Sequence, residues 1–312
     1  MVLYSILLGL GAALCWGSAD IFATIASRRL GVFTTLFFSH TGSFFVILAC
    51  LILLWQPLHI TPQLLLQSLP LGFGVGLLVA CGYFAFYRAL ELGPLAIVSP
   101  LTSADGAIAA LLALFIFHES LSTWQAGALS ILFLGIIFVS LEGSSLPIFF
   151  KTLRSFSFAK GGIKWALLAM VAFGIGLFGI GFATKTTVWF LPIFWMRATS
   201  ALTMTSVQIW QQRKTFPAFS LISQNTEKFT NRWHTWLGFA GLAGILDCGG
   251  LLFYSFDTHI AATGIAAAVS SCFVLLPLLF GTFVLRERLV LHQMLGVGFI
   301  VTGLLILGYN SG

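Results

Sequence analysis

The 312-residue chain is 59% hydrophobic and only 8% charged, where a soluble domain carries about a quarter charged residues. Its formal charge of +6 resides in the connecting segments, which suits contact with anionic lipid headgroups and gives no interleaved basic and aromatic stripe for nucleic acid. A water-soluble core is excluded, and the chain is read as one all-α integral membrane domain.

Apolar runs bounded by charges, prolines or polar clusters predict ten spans, at 2 to 26, 32 to 55, 68 to 90, 94 to 117, 123 to 142, 163 to 183, 188 to 211, 235 to 256, 260 to 284 and 290 to 309. Each is long enough to cross ~30 Å of hydrocarbon. The first lacks a basic leader and an Ala-x-Ala cleavage site, so it is expected to be a retained helix. Two longer polar connections lie at 142 to 162 and 211 to 234.

The first of these connections falls near the midpoint, and the halves match at nearly constant offsets. At 157, Gly17, Phe33, Phe37 and Ser43 meet Gly174, Phe190, Phe194 and Ser200, with His40 opposite Arg197. At 167, Gly74, Cys81, Gly82, Phe86 and Tyr87 meet Gly241, Cys248, Gly249, Phe253 and Tyr254. At 168, Ser103, Glu119, Leu121, Gln125 and Gly135 meet Ser271, Glu287, Leu289, Gln293 and Gly303. A duplication follows, with repeats at 1 to 142 and 163 to 312 and a linker at 143 to 162. Five helices per unit is an odd number, so the second copy enters the bilayer inverted. Ten transmembrane helices as two inverted five-helix repeats is the architecture of alternating access.

The motifs Trp16-Gly17-Ser18, Tyr87-Arg88-Ala89-Leu90, Ser99-Pro100-Leu101 and Glu119-Ser120-Leu121, followed by Arg197 and Arg286-Glu287-Arg288-Leu289, span the chain in order. In these the sequence resembles the ten-helix, EamA-type branch of the drug/metabolite transporter superfamily. The resemblance implies secondary transport of a small metabolite such as an amino acid or amine, often export, across the plasma or inner membrane. It departs from the family where Gly106 and Val274 stand in place of a frequent proline, Pro277 coming three residues later. Thirteen Lys and Arg fall on one face, among them Arg28, Arg88 and Lys214, and Lys185 alone on the other. The positive-inside rule makes the first face cytoplasmic and both termini external, whereas the family is usually drawn with both termini inside.

Ionisable residues within the spans are Asp20, His40, Asp105, Arg197 and Asp247. Each is costly in hydrocarbon and belongs in a cavity or beside a partner. Asp247 lies on a small-residue face with Ala240, Ala243, Gly244, Gly250 and Tyr254; it either binds a cation or proton or joins helices as a hydrogen-bonded acid. Asp105, among Thr102, Ser103 and Gly106, contacts substrate or proton, or is a satisfied acid at a helix kink. Asp20 lines the pathway or snorkels toward Arg28 or Arg29. Arg197 and His40 are repeat mates; Arg197 is a gate, an anion clamp or the partner of one of the acids, and His40 a donor or proton relay. Trp16, Tyr83, Tyr87, Trp195 and Tyr254 are candidate aromatic walls, with Trp55, Trp189 and Trp236 at the interfaces. Glu119 and Glu287 sit at helix starts, where a carboxylate complements the dipole.

The five cysteines show no Cys-x-x-Cys or zinc spacing, so neither a disulfide framework nor a metal is expected. No cofactor is expected; the partners are a small-molecule substrate, the bilayer and protons. No His-Glu-x-x-His or Gly-x-Ser-x-Gly appears, which disfavours a membrane-embedded enzyme, and a non-transporting structural protein leaves the duplication unexplained.

Overall fold

The computed structural model describes residues 2–92, 95–118, 122–140, 161–215, 233–283 and 291–309. Among these the chain is helical and contains no strand. The first repeat runs α1 (Val2–Leu30), α2 (Val32–Leu54), α3 (Pro62–Leu92), α4 (Leu95–Thr102), α5 (Asp105–Ile116) and α6 (Thr123–Ser140). The second runs α7 (Gly161–Thr186), α8 (Leu191–Thr215), α9 (Trp233–Ile260), α10 (Thr263–Ser270), a 3₁₀ turn (Ser271–Val274), α11 (Leu275–Phe283) and α12 (Leu291–Tyr309). Gly161 and Gly162 open α7; the rest of the expected linker, together with Glu119, Glu287 and the Arg286-to-Leu289 motif, lies outside the described residues.

The fourth span of each repeat is interrupted, by a turn at Ser103 and Ala104 between α4 and α5 in the first and by the 3₁₀ turn between α10 and α11 in the second. This corrects the continuous helices expected at 94 to 117 and 260 to 284. At the breaks, hydroxyls compete for carbonyls that a continuous helix would use: Thr102 donates to the carbonyls of Val98 and Ser99 at 3.0 and 2.9 Å. In the mate position Ser270 and Ser271 both donate to the Ala267 carbonyl, at 3.0 and 2.8 Å. Such back-bonding loosens the helical ladder, and Pro100 removes one further amide from α4. α1, α3 and α9 also run several residues past their expected ends.

The packing itself carries the repeat symmetry. α1 packs along α9 as its mate α7 packs along α3, and α2 against α9 as α8 against α3. α6 and α12 pair with one another. The close approaches repeat atom for atom. A methyl at Gly17 would stand 2.6 Å from Leu276 Cβ and from the Phe273 carbonyl, while one at Gly174 would stand 2.6 Å from Ile108 Cβ and 2.9 Å from the Asp105 carbonyl. Ile108 and Asp105 are the residues that the 168 offset places opposite Leu276 and Phe273. Likewise Gly135 abuts the Gly296 carbonyl and Ile300, and Gly303 abuts the Ala128 carbonyl and Leu132, again mates of one another. Small residues are what allow membrane helices this proximity.

The outside of the bundle is apolar. Leu14, Ile52, Leu66, Leu202 and Leu305 are each more than half exposed, and among the described residues five helices are long and apolar enough to cross a membrane. Contiguous exposed surface of this kind requires lipid. The chain is a multi-pass membrane protein. Within it, α10 is buried along its whole length, at the centre of the bundle.

Candidate functional site

A cavity of about 70 Å³ lies between the repeats, lined by Trp16 and Asp20 of α1, Tyr83 and Phe86 of α3, Thr102 and Asp105 at the first break, Phe173 and Leu177 of α7, Met196 of α8, Asp247 and Leu251 of α9, and Phe273 of the 3₁₀ turn, with Val79, Gly176 and Ile180 completing the wall. Room for a few waters or a small solute follows from that volume. Three pairs in the wall are repeat mates: Trp16 with Phe173, Asp20 with Leu177, and Asp105 with Phe273. The cavity therefore straddles the pseudo-two-fold axis. Its scaffold is symmetric and its chemistry is not, since Asp20 and Asp105 have the apolar mates Leu177 and Phe273.

Behind the wall a polar knot fastens four helices, α2, α3, α8 and α9. Arg197, fully buried, forms an ion pair with Asp247 and donates from Nη2 to the Tyr83 hydroxyl at 3.2 Å. That hydroxyl donates in turn to the Asp247 carboxylate, 2.7 Å from either oxygen. Nη1 of Arg197 lies 3.4 Å from His40 Nδ1. Because a guanidinium only donates, Nδ1 accepts and the imidazole is neutral with its proton on Nε2, an atom that is buried without a partner. His40 and Arg197 are mates and touch, so they too sit astride the axis. Tyr87 is one shell out, its hydroxyl 3.3 Å from Ser39 Oγ.

The remaining acids differ. Asp20 accepts from Ser99 Oγ at 2.6 Å and does not snorkel: Arg28 donates instead to the Leu90 carbonyl at 3.4 Å, and Arg29 lies 5.4 Å over the Trp236 ring. Asp105 is buried, and its Oδ1 meets no hydrogen-bond partner. Among the described residues no cation is paired with Asp20 or Asp105. A carboxylate withdrawn from water needs a proton or a counter-charge.

Five of the eight residues singled out from sequence line the cavity: Trp16, Asp20, Tyr83, Asp105 and Asp247. Arg197, His40 and Tyr87 stand behind it. Of the other candidate rings, Trp195 is turned away to donate to the Leu65 carbonyl at 2.8 Å, and Tyr254 donates to the Leu177 carbonyl at 3.1 Å. Phe86, Phe173 and Phe273 were not anticipated, although the 157 offset puts Phe173 opposite Trp16 and the 168 offset puts Phe273 opposite Asp105. Asp257 was missed because the eighth span was expected to end at 256, one residue before it.

The family model described as the EamA-like transporter family matches residues 3–141, the first repeat. An uncharacterized protein of Methanocaldococcus jannaschii is 30% identical over 140 residues, which are 44% of this chain and 97% of that protein. A crystal structure of another protein superposes with a TM-score of 0.64 at 15% identity, covering 98% of this chain and 97% of that one, a likeness of fold alone.

Proposed function

Because the chain belongs to the EamA-like transporter family, we propose that it is a secondary carrier, not an enzyme, that exports a small metabolite across the plasma or inner membrane by alternating access. The substrate is an amino acid, amine or related solute, and protons are the coupling ion. One observation carries this reading: the cavity lies on the axis between two inverted repeats and holds Asp20 and Asp105, with which no cation among the described residues is paired. The archaeal relative adds support, since the 140 residues it matches are 97% of its length and about the length of one proposed repeat.

The chemistry of the wall favours solutes that bear a protonated amine. Asp105 and Asp20 supply counter-charge, and Trp16, Phe86, Phe173 and Phe273 supply apolar and quadrupolar surface for an alkyl or aromatic body. A carboxylate exposed first to one side and then to the other crosses the midplane neutralised, by a proton in one leg and by the ammonium in the other. Asp247 is bound to Arg197 and is assigned a supporting role, so that the coupling role passes to Asp105. The half-helices α5 and α10 pack together beside the cavity, where broken helices supply the hinge and the exposed backbone of many carriers. By the charge count, the Arg28 and Arg88 face is cytoplasmic and both termini are external.

The test is uptake into proteoliposomes of a panel of amines, zwitterionic amino acids and organic anions, with and without a pH gradient. The reading expects gradient-driven accumulation of amine-bearing solutes, recovered unmodified. Preference for organic anions, or recovery of a converted product, would overturn it.

A further inference from the structure

A second acid lies outside the cavity. Asp257, on the last turns of α9, is fully buried, yet neither carboxylate oxygen has a hydrogen-bond partner. It stands ten residues beyond Asp247, ~15 Å along the helix, and is not part of the cavity wall. Beside it is Ser5 of α1, also fully buried, whose hydroxyl faces the Asp257 carboxylate from beyond hydrogen-bond length. A carboxylate this deeply buried, faced by a serine hydroxyl and paired with no cation among the described residues, is an anomaly in a packed interior.

The surroundings are rich in hard oxygen donors and poor in positive charge. Thr258 and Thr184, on α9 and α7, are buried and joined through their hydroxyls at 3.2 Å, and Thr263, also buried, opens α10. The closing turn of α9 presents the negative end of its dipole and its final carbonyls at the same level. His259 turns its Nδ1 toward the Thr184 carbonyl, 3.4 Å away, and Lys185 lies 4.3 Å over the Phe117 ring. Among the described residues no basic side chain is paired with Asp257.

We propose that Asp257 and Ser5, with the closing carbonyls of α9, form a second site that binds a sodium ion. Oxygen-only donors select a hard cation over a transition metal. A single carboxylate balances a monovalent ion, and full burial disfavours a divalent ion that keeps its waters, as magnesium does. The site joins the start of α1 in the first repeat to the end of α9 in the second, so an ion held there ties the repeats together at the end of the bundle where Lys185 lies. Occupancy would thereby bias which face of the carrier is closed, a consequence that rests on the transport reading; the binding itself does not.

The experiment is equilibrium binding of radioactive sodium to the purified full-length protein in detergent, without solute or gradient, so that it stands whatever the transport assay returns. Saturable binding is expected for the wild type, weakened at least tenfold in Asp257→Asn and severalfold in Ser5→Ala, which removes one oxygen and leaves the helix intact. A parallel melting series in sodium and choline chloride is expected to show sodium-specific stabilisation in the wild type. Absence of saturable binding, equal binding by Ser5→Ala and Asp257→Asn to the wild type, or equal melting in the two salts would overturn the proposal.

Discussion

Asp247→Asn keeps the shape of the side chain and removes its charge, and the position of that charge sets the outcome. Sequence alone leaves two roles open, a cation or proton site and a hydrogen-bonded acid that joins helices. The structure places the carboxylate against Arg197, which is fully buried, so the substitution strands a guanidinium in the bundle. Breaking a buried pair from one side costs about 3–5 kcal/mol, while removing both partners in favour of apolar groups is often near neutral. At roughly 2 °C per kcal/mol for a chain somewhat above 250 residues, the melting temperature should fall by roughly 6–10 °C. Arg197→Met should fall by a similar amount, and Arg197→Met with Asp247→Leu should recover most of it. The assay is a double-mutant cycle on thermal unfolding in detergent. Additive losses, or a single Asp247→Asn as stable as the wild type, would refute the assignment of this pair as the tie between α8 and α9.

Three further outcomes follow from the geometry. Asp105→Asn should abolish gradient-driven accumulation while keeping the wild-type melting temperature, because Asp105 Oδ1 has no partner to lose; a destabilised protein would instead make Asp105 structural. Gly17→Ala and Gly174→Ala should each destabilise by about 1–3 kcal/mol through mate contacts, whereas Gly127→Ala, with nothing within 4 Å, should be neutral; unequal effects at Gly17 and Gly174 would contradict the two-fold. Trp16→Ala and Phe173→Ala should raise the KM for an amine solute severalfold, along with the loss of stability that truncating a packed aromatic ring brings, and an unchanged KM in both would remove the aromatic wall from recognition.

The repeat was legible because non-leucine matches recur at fixed offsets, and the same offsets, applied to glycines, name the contacts that build the interface. What hydropathy does not reveal is the break at Ser103 and Ser271. Averaging over a window hides a local competition between hydroxyls and backbone for the same carbonyls. The acids were visible because charge is rare in these spans, but their division of labour was not: Arg197 lies fifty residues from Asp247, and only packing decides which of three acids it neutralises. Asp257 fell outside the expected span because a polar pair, Asp257 and Thr258, looks like a helix end when the buried continuation of α9 is not in view. Phe173 and Phe273 were hidden among 32 phenylalanines, distinguished only by the mates they face.

The most direct test of the account is solute counterflow in proteoliposomes preloaded with an unlabelled amine and exposed to the same amine labelled outside, comparing wild type with Asp105→Asn. The account predicts transient, saturable accumulation of unmodified label by the wild type, and its loss when Asp105 no longer offers a counter-charge. Equal label in wild-type and protein-free vesicles across the amine panel, or full counterflow by Asp105→Asn, would contradict it.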